Sequence, residues 1–478
     1  MAEQLTPDLC VIGAGSGGLS VAAAAAAFGV PVVLIEKGRM GGECLNTGCV
    51  PSKAMIAAAR RGEIYRSSAP FGIKPVRPGI EFDHVNDHVH QVIASIAPND
   101  SKERFTGLGV RVIQGEARFR DTRTVVVGDE TDIRYAVRAR RFVIATGSLP
   151  AIPPIPGLEQ VPYLTNETVF DLRERPKHLI VIGGGPVGME LAQAFRRLGS
   201  EVTVLEAAQP LGKEDPECAA IVLDAFAREG ITVRSGVNIA RVRRVRQRIE
   251  VVLAGDTEEV IQGSDLLVAA GRRPNIAGLD LEAGRIRHGP DGIIVNKRFG
   301  TSNKRVYAIG DVVGSARFTH AAGHQAGLMV RHLLFRLPVA MNPDEIPRVT
   351  FTDPELAHVG LTDAQARGRC GTIRVLRWPY FENDRARAER QTRGHIKVVT
   401  DKKGLILGAT IVGAAASEQI TAWTLAINHG LNIRAFAEIV VPYPTFTEIG
   451  KRAAMSFFTP RLANPWVRRL VNALRRLG

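Results

Sequence analysis

Twice in this chain an apolar strand runs into a glycine-rich turn and then a helix, and that repetition restricts the fold more than any other feature. Asp8–Gly13 leads into Gly13-Ala14-Gly15-Ser16-Gly17-Gly18 and the Ala-rich stretch Leu19–Phe28, and a second strand, Pro31–Ile35, ends at Glu36. His178–Gly183 leads into Gly183-Gly184-Gly185-Pro186-Val187-Gly188, a helix to about Leu198, and a strand Glu201–Leu205 ending at Glu206. In both units the acid follows the first glycine by 23 positions (36 − 13 and 206 − 183). A lone G-x-G-x-x-G is weak, but strand before, helix after and acid at this distance, all repeated, specify two dinucleotide-binding units. The first glycine makes the turn, the second admits a pyrophosphate to the backbone, and the third lets helix and strand pack. The phosphates then lie at a helix N-terminus. Pro186 suits a helix start, where its missing N–H is not needed.

A chain of 478 residues exceeds one compact core and suggests about three domains. The charged fraction of 23% and hydrophobic fraction of 45% are those of a globular protein. Net charge is +14 (62 − 48), and half of it lies after Gly450, on Lys451, Arg452, Arg461, Arg468, Arg469, Arg475 and Arg476, with no acid among them. A nucleic-acid enzyme would concentrate charge in its folded body, so no nucleic-acid partner is expected. The polar, acidic start and the short apolar run Val21–Phe28 resemble neither a secretory signal nor a spanning helix. Five cysteines, at 10, 44, 49, 218 and 370, do not form a secreted framework, and the expected location is the cytoplasm.

Gly41–Lys53 reads GGECLNTGCVPSK, with Cys44 and Cys49 just beyond the first dinucleotide unit. Such a pair can accept two electrons, because a thiolate beside an electron carrier is stabilised. Spacing alone leaves a redox pair, a zinc site and buried thiols open. Zinc would need further ligands, and no Cys or His stands at ligand spacing nearby. Cys10, inside an apolar strand, is expected to be a small core residue.

Gly41–Lys53 resembles the active-site signature of the class I pyridine nucleotide-disulfide oxidoreductases: dihydrolipoamide dehydrogenase, glutathione reductase and mercuric reductase. The resemblance runs to about Phe458. Ala145-Thr146-Gly147 is similar to the family's crossover from the flavin domain, Ala270 to Asn275 (AGRRPN) to its return from the nucleotide domain, and Tyr307 to Asp311 (YAIGD) to its second flavin motif. The implied fold class is α/β: two Rossmann-like dinucleotide-binding domains, for FAD and NAD(P), and a C-terminal α+β dimerisation domain. The implied boundaries are 1–150 and 271–344 for the flavin domain, 151–270 for the nucleotide domain, 345–458 for dimerisation and 459–478 for a basic tail. Alternation in His395–Val399 and Ile406–Ile411 fits strands of the third domain.

The resemblance also implies roles. Cys49 would be the flavin-proximal thiol, Cys44 the interchange thiol, and Lys53 would sit by flavin N5, paired with Glu190. FAD would be held by Gly13, Gly15, Ser16, Gly18, Glu36, Lys37, Gly42, Lys53, Ala117, Thr146, Gly147, Arg273 and Asp311. The nicotinamide nucleotide would be held by Gly183, Gly185, Val187, Gly188, Glu206 and Gly271. A carboxylate at Glu206 would repel a 2′-phosphate, which favours NADH over NADPH, although Lys213 and Arg196 lie near in sequence. Cys10, Cys218 and Cys370 match no functional position, and His320 and His324 are expected to pack rather than catalyse.

The family's reductases carry His-Pro-Thr and a glutamate near the C-terminus, supplied to the partner subunit as acid–base. Here Pro442 to Glu448 reads PYPTFTE, so Tyr443 takes the histidine position while Glu448 keeps the glutamate's. Tyrosine, with an ordinary pKa of about 10, is a poor base at neutral pH but a good hydrogen-bond donor. Mercuric reductases are similar in this tyrosine, yet they end in a cysteine pair, whereas the last cysteine here is Cys370. A homodimeric NAD(P)H-dependent enzyme acting on a small or protein-borne disulfide is the leading expectation. A mercuric-type reductase, a flavin transhydrogenase or quinone reductase with an idle cysteine pair, and a membrane-recruited redox sensor are the alternatives. Asn464–Gly478 (NPWVRRLVNALRRLG) is a basic amphipathic stretch, with Trp466, Val467, Leu470, Val471, Leu474 and Leu477 in one stripe. It can lie on an anionic membrane, dock a partner or fold back on the dimer.

Overall fold

Leu9–Ile12 has no exposed residue and lies at the centre of a five-stranded parallel sheet, in the order Val306–Ala308, Arg141–Ile144, Leu9–Ile12, Val32–Glu36, Arg111–Gln114. A strand covered on both faces reads as continuous apolar sequence rather than alternation, which is why LCVI and VVLIE look as they do. The computed structural model describes residues 2–128, 132–255, 258–314, 317–462 and 464–476. Its residues form two compact units, one of 1–183, 194–205 and 237–343, the other of 184–193, 206–236 and 344–478.

In the first unit the helices Ser16–Ala27 and Thr319–Phe335 pack on one face of the parallel sheet, around Val11, Leu34, Val143 and Met329. The other face is closed by a core of Cys10, Ile35, Phe119 and Phe142, shared with the antiparallel strands Ala117–Asp121, Thr124–Gly128 and Ile133–Val137. Cys10 is fully buried, and burial pushes its thiol well above the usual range, as a core residue requires. A second parallel ladder has His178–Ile182 between Glu201–Glu206 and Asp265–Val268. The antiparallel strands Ile239–Val245, Arg248–Leu253 and Glu259–Gly263 pack beside it.

The second unit holds a five-stranded antiparallel sheet, in the order Arg348–Thr350, Glu355–Gly360, Ile406–Gly413, His395–Asp401, Ile373–Pro379. It contains both strands expected from alternation. Helices Ala416–Asn428 and Glu448–Ser456 cover one face, and Trp423 stacks on Phe436 with centroids 3.8 Å apart. Lys397, buried in this sheet, is held by Asp215 at 2.6 Å, which satisfies both charges. Among the described residues no helix is long and apolar enough to cross a membrane.

Two glycines fix the first strand–turn–helix. A Cβ at Gly18 would run into the Gly13 carbonyl, and one at Gly13, whose φ is +103°, into the Ala145 carbonyl. Gly18→Ala must therefore push the helix off the strand. We expect it to lower stability by about 2 kcal/mol, read by thermal or denaturant unfolding of the flavin-free protein.

Candidate functional site

Above the parallel sheet, within the first unit, lies a cleft of about 330 Å³ that runs from Glu36 past Gly13, Gly15 and Gly42 to Thr146, Ser148 and Asn275. Helix Ser16–Ala27 begins here with Gly15 at its N-cap, no side-chain cap and no acid in its first turn, so its free N–H groups face the cleft. Gly42 must also be glycine, since a Cβ would come within 2.6 Å of the Gly15 Cα. Gly15 differs: a Cβ there would meet nothing nearer than 3.9 Å. Protein packing requires Gly13, Gly18 and Gly42, and the space over Gly15 is left for a ligand. Glu36 closes the far end, its carboxylate accepting from the N–H groups of Ala14 at 2.6 Å and Gly38 at 2.7 Å. Lys37 and Ala117 line the cleft, and Lys37 pairs with Glu116 at 3.5 Å. These features fit an extended adenine dinucleotide, with phosphates on the helix N-terminus and a ribose at Glu36.

The second turn is built alike. A Cβ at Gly183, φ +113°, would strike the Ala269 carbonyl, whereas one at Gly185 would meet no described atom within 4 Å. Glu206 accepts from the N–H groups of Gly184 at 2.6 Å and Ala208 at 2.8 Å, the same arrangement as Glu36. Val187 is exposed and Gly188 buried in helix Pro186–Arg197, and Gly271 has φ +131°.

Cys44 lies in the short helix Gly42–Asn46, and Cys49 is the first residue of helix Cys49–Arg66, where the free N–H groups favour a thiolate. No disulfide joins the two in this structure. Lys53 follows Cys49 by four residues and so shares its helix face. The Cys44 thiol is pushed up strongly, first by its hydrogen bond with Cys49, then by burial and the Cys49 charge. The two sulfurs therefore hold one proton between them more readily than none. Thr319 opens its helix with its hydroxyl oxygen 3.4 Å from the Cys49 sulfur. Once Cys49 is a thiolate, that hydroxyl must donate.

Charged groups outside the expected set complete this region. Glu43, beside Cys44, pairs with Arg272 and accepts from Asn166 Nδ2 at 3.0 Å. The same Asn166 amide donates to the Thr47 carbonyl at 3.2 Å, tying down the turn between the cysteines. Arg272 also donates to Ser148 Oγ at 2.8 Å and lies 3.7 Å from Asp311, whose carboxylate accepts from Ser148. The arginine that enters this cluster is Arg272. Arg273, named from the motif, is exposed on the opposite face of the same strand. Thr146 and Gly147 meet Asn275: the Thr146 hydroxyl donates to the Asn275 carbonyl at 2.7 Å, and the Asn275 N–H to the Gly147 carbonyl at 3.0 Å. Period-two alternation in a strand was the signal for Arg272, and Glu43 was visible inside the motif. Thr319, 270 residues from Cys49, had no local signal.

In the second unit, Glu190 is buried and its carboxylate accepts from the Phe351 N–H at 2.9 Å. Tyr443 is 71% exposed, and its hydroxyl donates to Asp384 at 2.8 Å. That carboxylate holds the phenol above its usual range, so at neutral pH it remains a donor. Asn383 caps the helix Asp384–Ala388 and donates to the Thr445 carbonyl at 2.9 Å, which fixes Asp384 against the Tyr443 segment. Glu448 begins its helix, where a carboxylate is favoured. His320, in its helix start, stacks on Phe318.

Residues 7–326 match the family model described as pyridine nucleotide-disulphide oxidoreductase, and residues 346–454 match that family's dimerisation domain. The chain belongs to the pyridine nucleotide-disulphide oxidoreductases. It is 36% identical over 456 residues to a mercuric reductase of Streptomyces lividans, covering 94% of this chain and 96% of that protein. It is 34% identical over 453 residues to a dihydrolipoyl dehydrogenase of Geobacillus stearothermophilus, covering 94% and 95%. The HOCl-induced flavoprotein disulfide reductase RclA of Escherichia coli, solved as a Cu(II) complex, superposes with a TM-score of 0.84 at 26% identity, over 95% of this chain and 99% of that one. The protein is thus an FAD-dependent oxidoreductase that uses a pyridine nucleotide and dimerises with a second copy.

Replacing Thr319 by Val removes the hydroxyl beside Cys49. The pKa of the Cys49 thiolate is expected to rise by about one unit, followed through the pH dependence of long-wavelength absorbance in the two-electron-reduced protein. An unchanged midpoint would show that the hydroxyl does not donate to Cys49. Gly15→Ala should unfold as the wild type does but retain less FAD through gel filtration.

Proposed function

We propose that this enzyme takes electrons from NADH, passes them to the Cys44–Cys49 pair and reduces a disulfide substrate. The observation that carries this reading is the pair itself, one sulfur at a helix N-terminus beside Thr319 and the other holding its proton. When bound, FAD supplies the two-electron link between nicotinamide and sulfur. The chain does the rest. Gly13, Ser16, Gly18, Gly42, Glu36, Lys37, Ala117, Thr146, Gly147 and Asp311 hold and orient the flavin nucleotide, and Lys53 puts a positive charge on the helix face of Cys49. Cys49 carries the thiolate, Cys44 exchanges with substrate sulfur, and Glu190 serves the nucleotide side. Tyr443 turns its hydroxyl from Asp384 to give substrate sulfur a hydrogen bond across the dimer, positioning it rather than acting as a base, and Glu448 anchors its segment. The few cysteines and their exchange chemistry suit a reducing cytoplasm.

Cys44→Ser separates this reading from a quinone reductase with an idle pair. Disulfide-dependent NADH oxidation should fall by about a thousandfold while NADH–quinone turnover persists. Retained disulfide turnover would contradict the proposal, and mercury-dependent turnover in the wild type would favour the mercuric-type alternative. Glu206 supports NADH: its carboxylate is held at the strand end, and Ala207 and Ala208 follow it. We expect kcat/KM for NADH to exceed that for NADPH by about tenfold, near 1.4 kcal/mol. A preference for NADPH would refute this assignment.

The tail supports a second role, docking on an anionic lipid surface. Helix Pro465–Leu474 is capped by Asn464, and Trp466, Leu470, Val471 and Leu474 are all exposed on it. Leu477 of the same stripe lies outside the described residues. Arg468, Arg469, Arg475 and Arg476 match the charge of anionic headgroups. Intact protein should co-sediment with phosphatidylglycerol-containing vesicles but not with phosphatidylcholine alone. A chain lacking residues 465–478 should stay in solution with its flavin content unchanged, and equal sedimentation of the two would sink the idea.

A further inference from the structure

Glu43 directly precedes Cys44, and neither the dinucleotide turn nor the exchange chemistry requires an acid there. It is half-buried at the edge of the flavin cleft, on the same short helix as Cys44. Every strong contact it makes fixes it in place. Asn166 donates to one carboxylate oxygen at 3.0 Å, and Arg272 donates to the other. Arg272 is shared: it also holds Ser148 and stands 3.7 Å from Asp311. Titratable or charged groups that face Glu43 are therefore Arg272 and Asp311 across the cleft and Cys44 and Cys49 on its own loop. Burial pushes the Glu43 carboxyl up to about 7, with Arg272 opposing and Asp311 and Cys49 adding to the rise.

We propose that Glu43 tunes the redox pair: its carboxyl, held beside the cysteines by Arg272 and Asn166, sets how readily Cys49 carries the thiolate. The inference rests on the reading of Cys44 and Cys49 as that pair. Reduction breaks the Cys44–Cys49 bond with two electrons from the nicotinamide nucleotide. One proton goes to the Cys44 sulfur, and Cys49 keeps the negative charge. With Glu43 ionised, Arg272 is neutralised and the thiolate faces an acidic neighbourhood, which raises its pKa. With Glu43 neutral, that negative neighbour is gone and Arg272 keeps its charge in the same cluster, which lowers it. The enzyme therefore gains a carboxylate switch near neutral pH that opposes thiolate formation as pH rises.

The test uses the FAD-loaded protein and its Glu43→Gln, Glu43→Thr and Glu43→Asp variants, each reduced anaerobically by two electrons and titrated from pH 4 to pH 9. The readout is the long-wavelength thiolate–flavin absorbance, followed for its loss on acidification and for a second inflection near pH 7, where Glu43 ionises. The wild type should show that inflection, Gln and Thr should abolish it, and Asp, which keeps a carboxyl, should retain it. A residue needed only to hold the loop would lose flavin or stability without changing the shape of this curve. An inflection that persists in the Gln and Thr variants, or is missing from a wild type whose band is intact, would overturn the role of Glu43 alone. Absence of the band from the wild type would instead remove the redox reading of the cysteine pair, and the inference with it.

Discussion

Everything at the flavin site depends on one backbone contact, the approach of helix Ser16–Ala27 to strand Leu9–Ile12 through Gly13 and Gly18. A side chain at Gly18 would push the helix off the strand, and one at Gly13 would push the turn off the end of the neighbouring strand at Ala145, so that the helix N-terminus no longer opens squarely into the cleft. Close packing there turns the start of the helix, which has no side-chain cap, into the cleft, where a dinucleotide's pyrophosphate would fit. Glu36, held by Ala14 and Gly38, closes the other end of the cleft. The same arrangement recurs at Gly183, Gly185 and Glu206, so one physical solution serves two nucleotides.

The redox loop is a second layer built on that frame. Gly42 packs on Gly15, which places the Cys44 helix against the dinucleotide turn, and Asn166 fastens the loop from a separate segment. Cys49 gains a helix N-terminus, a lysine one turn along and a hydroxyl at 3.4 Å, while Cys44 is held as a thiol. The asymmetry between the two sulfurs arises from local backbone and hydrogen bonding. Glu43 and Arg272 add a nearly neutral pair beside it, so the local charge turns on small changes in protonation.

Much of this was legible in the chain because the determining interactions are local. Glycine spacing, apolar strands and the acid 23 residues on report contacts within about 30 residues, and the antiparallel strands announced themselves by alternation. What was missed is nonlocal or depends on facing. Thr319 meets Cys49 only because the second flavin motif and the cysteine helix converge in the fold. Asn166 reaches Glu43 across 123 residues. The choice between Arg272 and Arg273 is decided by which face of a short strand turns inward, and the motif alone does not carry that information. Tyr443 was visible as a departure, but its bond to Asp384 and the resulting role as donor required the fold.

The central claim is that the pair at positions 44 and 49 accepts electrons entering from a nicotinamide nucleotide. An anaerobic titration of the purified, FAD-loaded protein with NADH, recorded across the visible spectrum, addresses it most directly. The account predicts a long-wavelength thiolate–flavin band that reaches its maximum at two electrons per subunit and is absent from the Cys49→Ser variant. Bleaching of the flavin at two electrons with no such band would contradict it, and would mean that electrons leave the flavin without passing through sulfur.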